Sequence, residues 1–173
     1  MNGAAVARIG AYGLAVLAAT ALALAGNATS RAAAADWREP LQRADAALAN
    51  GERAAARQAW EQAYRAAMQV RATEGLLAVG HAYLRIGEAA RDRATTVASA
   101  RRIFLTALFQ ARERRDAPGV AAAAAAFASL GDRDVADRGF EIASAIANRH
   151  GDVAARERIA ALQAAAAGVP RTP

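Results

Sequence analysis

From Asp36 onward, apolar residues recur at spacings of three and four, and no stretch alternates as a strand would. Pro118 is the one proline between Leu41 and Val169, so little interrupts helices in this region. The pattern predicts an all-α fold with seven helices, at residues 37–49, 52–70, 73–86, 95–114, 118–130, 133–148 and 152–166.

Three glycines at predicted turns, Gly51, Gly87 and Gly131, are each followed by an alanine, an aromatic residue and a second alanine. The trios are Ala56, Trp60 and Ala63; Ala100, Phe104 and Ala107; and Ala136, Phe140 and Ala143. The first and third arrive at offsets five, nine and twelve, whereas the second arrives eight residues later. The spacing therefore predicts three repeats, the middle one with an eight-residue insertion in its turn.

The position seven residues before each of these glycines is small in every repeat: Ala44, Gly80 and Ala124. Tyr83 and Phe127 follow three residues after the second and third of these. We expect the small residue to permit close approach of two helices, because a larger side chain at a helix crossing would hold them apart.

This arrangement resembles the tetratricopeptide repeat, which has an aromatic residue, Leu-Gly and Tyr, then Ala, an aromatic and a small residue. In the middle unit Leu76 takes the first aromatic position and Val79-Gly80 the Leu-Gly position; the matches that follow are Tyr83, Ala100, Phe104 and Ala107. The first unit matches in its second helix, and the third matches through Phe127 and its trio. The resemblance covers Trp37 to Asn148, with a basic period of 36 residues where the family has about 34.

The resemblance implies a short right-handed α-solenoid of helical hairpins over residues 36–167, closed by a cap helix at 152–166. It also implies a concave groove that holds an extended peptide or a partner helix. The candidate groove residues are Arg38, Leu41, Asp45, Leu77, His81, Leu84 and Arg85. The third unit has alanines at the corresponding positions, so we expect a groove that is polar at one end and lined with alanine at the other.

Family members that grip the carboxyl-terminal tail of a chaperone use asparagine and lysine in this groove. The matching asparagine positions here hold Asp45, His81 and Ala125, and the chain has no lysine. The resemblance therefore argues against that version of the function.

The amino terminus has the layout of an export signal. Arg8 precedes 22 uncharged residues, Ile9 to Ser30, and small residues allow cleavage after Ala25 or as late as Ala35. This predicts a signal peptide at residues 1–25 and a periplasmic or secreted product. The alternative is an uncleaved anchor at residues 9–25, just long enough to span a membrane. At the other end, residues 168–173 are expected to form a disordered tail.

The chain carries 22 arginines against 16 acidic residues, a net charge of +6. Seven arginines gather around the insertion and the following helix: Arg91, Arg93, Arg101, Arg102, Arg112, Arg114 and Arg115. Acidic residues interrupt the cluster, so a solvated helix face is the simplest interpretation. A polyanion or nucleic-acid surface is the functional alternative, although few aromatic residues are interleaved for contacts with bases.

Candidate chemistry is sparse. There is no cysteine, and the two histidines, His81 and His150, lack metal-ligand spacing; His150 suits a helix end. A hydrolase with two carboxylates such as Glu61 and Glu74 has no supporting spacing. We therefore expect that the protein binds no metal or cofactor and is not an enzyme. The sequence predicts an exported protein-protein interaction module whose partner is a protein or peptide. We expect no specific binding of nucleic acid. Association with a membrane is expected only if the amino-terminal segment is uncleaved.

Overall fold

The computed structural model describes residues 36–168, and this part of the chain is all-helical, without strands. Its seven helices are α1 Arg38–Ala49, α2 Arg53–Gln69, α3 Thr73–Ala90, α4 Arg93–Glu113, α5 Ala117–Ser129, α6 Arg133–His150 and α7 Val153–Ala167. Each helix packs against the next one along the chain. In addition, α1 contacts α3, and α3 contacts α5. The predicted all-α stack of helical hairpins is confirmed.

All six turns between helices have the same hydrogen-bonded design. In each turn one residue adopts a left-handed backbone: Gly51, Arg71, Arg91, Arg115, Gly131 and Gly151. The amide of the next residue donates to a carbonyl five residues back, as Glu52 does to Ala47 at 2.9 Å and Asp132 to Phe127 at 3.0 Å. This is the Schellman motif, which ends a helix and lets the chain reverse within two or three residues.

The prediction that the middle turn contains an eight-residue insertion is wrong. α3 continues through Gly87 to Ala90 and α4 begins at Arg93, so the turn is as short as the others. The extra residues lengthen the helices: α3 and α4 together are eight residues longer than α5 and α6 together. Gly87 therefore lies inside a helix, where it is buried and a Cβ atom on it would overlap the side chain of Thr96.

The predicted reason for a glycine at position 80 is confirmed. A Cβ atom on Gly80 would overlap the ring of Phe104, which is fully buried in α4. The same ring meets Phe127 of α5 edge-on, with the ring centroids 6.3 Å apart. Gly80 thus permits α3 and α4 to approach closely, and the Phe104 ring between them also reaches α5.

The buried side chains form two clusters, one in each half of the stack. Trp60 lies in the first, where its indole nitrogen donates to the Val79 carbonyl at 2.7 Å. Its ring also packs against Tyr64 and Tyr83, at centroid distances of 5.4 and 4.5 Å. The second cluster combines Phe104, Phe127 and Phe140 with many alanines. Because alanine buries little area, the aromatic rings supply much of the apolar contact between helices.

The predicted terminal helix is present as α7. The Asp152 carboxylate accepts the Ala155 amide at 2.9 Å and so caps its amino terminus. α7 packs on α5 and, less extensively, on α6, and it buries Ala155 and Ile159 in the second cluster. Its other side chains are largely exposed, as expected of the last helix in a stack.

The predicted signal peptide at residues 1–25, the alternative anchor at 9–25 and the tail after Gly168 lie outside the described residues. None of the helices within residues 36–168 is long and apolar enough to cross a membrane.

Candidate functional site

The predicted groove residues fall on α1 and α3, and we call this set the α1–α3 face. It consists of Arg38, Leu41, Asp45, Leu77, His81, Leu84 and Arg85. The three leucines are half-buried against the core clusters, whereas the four polar residues are exposed. The face therefore offers apolar and hydrogen-bonding surface together.

Two ion pairs connect the helices of this face. An Nη atom of Arg85 lies 2.6 Å from an Asp45 carboxylate oxygen, and Arg38 lies 3.2 Å from Glu74. About half of the Arg85 and Asp45 side chains is exposed, at 47% and 48%. Exposed pairs of this kind contribute about 0–1 kcal/mol. They therefore set the positions of polar groups more than they stabilise the fold.

His81, on α3, connects this face to the core. Its imidazole packs against the ring of Phe104, with centroids 4.9 Å apart. Burial against the protein, and secondarily the nearby Arg85 guanidinium, lower the pKa of His81 below its ordinary value. This shift favours the neutral imidazole, in which one nitrogen donates a hydrogen bond and the other accepts one.

The alanine end of the predicted groove is not an open surface. Ala121 and Ala128 are buried in the second cluster and Ala125 is half-buried against it. Positions 121 and 128 therefore do not offer the open alanine surface expected there. Ser129, at the end of α5 on the same side, is exposed.

The two carboxylates considered for hydrolysis have separate partners. Glu61 lies 3.7 Å from Arg57 one turn away on α2, and Glu74 pairs with Arg38 of α1. Within residues 36–168, no group of three or more His, Asp or Glu residues is arranged to hold a metal ion.

The arginine cluster seen in the sequence is divided in the fold. Arg101 makes a two-pronged ion pair with Asp132, and Arg102 donates to the Ser99 hydroxyl at 3.2 Å. Asp132 therefore neutralises Arg101, whereas the Ser99 hydroxyl only accepts a hydrogen bond from Arg102. The arginines at the end of α4 have a different environment.

Arg112 and Arg115 line a cleft of about 830 Å³ together with residues of α6. We call it the basic cleft; its other lining residues are Arg138, Glu141, Ile142, Ala145, Ile146, Arg149 and His150. Sequence reasoning missed the α6 contribution because these residues lie more than 20 positions from Arg115. The available signal was their spacing of three and four, which places Arg138, Ile142, Ala145 and Arg149 on one side of a helix.

No known protein-family model, curated protein or solved structure gives a significant match to this chain.

Proposed function

We propose that the chain is an exported, non-enzymatic interaction module of tetratricopeptide-like design that binds a peptide or helix of another protein on the α1–α3 face. The observation that carries this proposal is the Asp45–Arg85 pair, which joins two helices at 2.6 Å while remaining about half exposed. A partner's backbone can bond to such fixed donors and acceptors without ordering them first. The proposed export rests on the amino-terminal sequence.

The apolar residues of the face fit the same role. Leu41, Leu77 and Leu84 are each half-buried, so they leave part of their surface for contact with a partner. Peptide-binding surfaces combine such contacts with polar groups that set the register of the bound chain. His81, whose lowered pKa favours the neutral form, adds a hydrogen-bond donor and acceptor one turn from Arg85.

The test is affinity capture from the envelope fraction of the native host. The wild-type chain is compared with a variant carrying His81→Ala and Arg85→Glu. The control variant carries Gln58→Ala and Arg65→Glu on exposed positions of α2, with the same change of charge at pH 7. A protein captured by the wild type and the control but lost with the His81 and Arg85 variant supports the proposal. The same captured set with all three chains overturns it.

The alternative function, binding of a polyanion, has a different structural basis. It would use the basic cleft, which lies on α4 and α6 rather than on α1 and α3. Arg38 and Arg85 on the α1–α3 face already pair with carboxylates, so that face has little unbalanced charge for a polyanion.

A further inference from the structure

The basic cleft holds an excess of positive charge that its own residues do not neutralise. It is lined by four arginines and one glutamate, and Glu141 is already paired with Arg138 at 2.6 Å. Within residues 36–168, Arg112 and Arg115 form no ion pair. Arg149 donates through Nε to the Ala145 carbonyl of its own helix, at 3.2 Å, which leaves its two terminal nitrogens for other acceptors.

Nearby carboxylates are engaged elsewhere. Asp116 accepts the Gly119 amide and Asp152 accepts the Ala155 amide, each at 2.9 Å, so both cap helices. They line an adjoining cleft of about 430 Å³ that shares Arg115 and His150 with the basic cleft. Glu113 is paired with Arg71 of the α2–α3 turn at 2.6 Å. Arg112, Arg115 and Arg149 therefore remain available to an external anion.

The shape of the basic cleft is elongated. Its α6 side runs from Arg138 to His150, which is roughly 18 Å at 1.5 Å per helical residue. That length accommodates about five or six residues of extended chain. The lining between the charged ends is apolar and consists of Ile142, Ala145 and Ile146. Phe109, half exposed at 51%, lies three residues before Arg112 on the same side of α4.

We infer that the basic cleft binds an extended acidic segment of a protein in which carboxylate and apolar side chains alternate. Arginine forks bind carboxylates through two parallel hydrogen bonds. In an extended chain the apolar side chains face one way, toward the isoleucines of α6, while the carboxylates point the other way, toward Arg112 and Arg115. A nucleic acid is less well matched because bases stack on aromatic platforms, and no Phe, Tyr or Trp is among the described residues that line this cleft.

This inference is independent of the proposed function, because the two surfaces share no residue. The probe is a fluorescein-labelled peptide of eight residues that alternates glutamate and leucine, titrated with the full-length chain at physiological salt. Fluorescence anisotropy gives the dissociation constant. A peptide with glutamine in place of glutamate, a single-stranded DNA of twelve nucleotides and vesicles of anionic lipid serve as comparison ligands.

The decisive variant carries Arg112→Gln and Arg149→Gln. The matched control carries Arg156→Gln and Arg158→Gln, which removes the same charge from exposed positions of α7. Loss of two charge-assisted contacts is expected to weaken binding of the acidic peptide by about tenfold or more, with less than about a twofold change in the control. Circular dichroism melts of all three chains verify that they remain folded.

Three results would overturn the inference. Equal weakening in both variants would mean that net charge alone attracts the peptide. Tighter binding of the DNA or of the vesicles, lost with the Arg112 and Arg149 variant, would assign the basic cleft to phosphate groups. Absence of peptide binding to the folded wild type at millimolar protein would show that the cleft does not take acidic segments.

Discussion

The α1–α3 face and the basic cleft use arginine in opposite ways. On the face, Arg38 pairs with Glu74, which lies 36 positions away in the sequence, and Arg85 pairs with Asp45, which lies 40 positions away. The basic cleft is lined by four arginines and one carboxylate, Glu141, which pairs with Arg138. The unpaired positive charge of residues 36–168 is therefore distributed unevenly between these two surfaces. A high isoelectric point thus says little about a surface until its ion pairs are known.

The two surfaces also differ in the burial of the nearest phenylalanine of α4. Replacing each of these two phenylalanines is expected to give the largest difference in stability. Phe104 is fully buried under His81, whereas Phe109 is half exposed near the basic cleft. Phe104→Ala is expected to lower the free energy of unfolding by about 3–5 kcal/mol, because it removes a ring that joins two repeats. Phe109→Ala should change it by less than about 0.5 kcal/mol. Urea denaturation of both variants measures the difference, and similar losses would contradict the described packing.

The close approach of α3 and α4 beneath the α1–α3 face is tested by Gly80→Ala. The added methyl group would overlap the Phe104 ring, so we expect destabilisation by about 1–3 kcal/mol despite the better helix propensity of alanine. Adding Phe104→Leu to the Gly80→Ala variant should then cost less than Phe104→Leu costs in the wild type. Urea denaturation of the four chains gives this coupling. Strict additivity of the two changes would show that the two residues do not contact each other.

The basic cleft contains a residue in a strained backbone conformation, and this allows stability and binding to be separated. Arg115 and Arg91 both adopt the left-handed conformation, at φ 56° and 59°, which favours glycine. Arg115→Gly and Arg91→Gly are each expected to raise the free energy of unfolding by up to about 1 kcal/mol. Only Arg115→Gly should weaken binding of the acidic peptide, because Arg91 does not line the basic cleft. Equal effects of both variants on binding would contradict the assignment of the cleft.

The smallest expected effect is on pH dependence and belongs to the α1–α3 face. Burial lowers the pKa of His81 in the folded chain, so the unfolded chain binds more protons between the folded and unfolded pKa values. The part of the free energy of unfolding that depends on His81 is therefore fully present above the unfolded pKa of about 6.5. It is lost as the pH falls through the pKa of His81 in the folded chain. In His81→Gln this part of the pH dependence should disappear. Melting temperatures measured from pH 7.5 to 4.5 test this, and unchanged profiles would contradict burial as the cause.

Much of the fold could be predicted from the sequence because the helix period and the repeated alanine and aromatic spacing are local signals. They gave seven helices and the reason for Gly80. The middle turn was misplaced because Gly87 resembles a turn glycine, whereas Arg91 occupies the left-handed position despite its side chain. Sequence alone offered no measure of the strain that this turn tolerates.

The candidate surfaces were predicted less completely. Periodicity placed Asp45 and Arg85 on corresponding sides of α1 and α3, but the pairing depends on how the two helices pack. The burial of Ala121 in the second cluster and the joining of Arg112 with Arg149 in one cleft depend on contacts between distant elements. Such contacts follow from tertiary packing rather than from residue spacing within one helix.

The central claim, that a partner binds the α1–α3 face, is tested most directly by site-specific photocrosslinking in the native host. A benzophenone amino acid is placed at the position of His81 in one chain and at the position of Arg65, exposed on α2, in another. The account predicts a discrete crosslinked protein from position 81 that is absent from position 65. The same adduct from both positions, or adducts from position 65 alone, would contradict it.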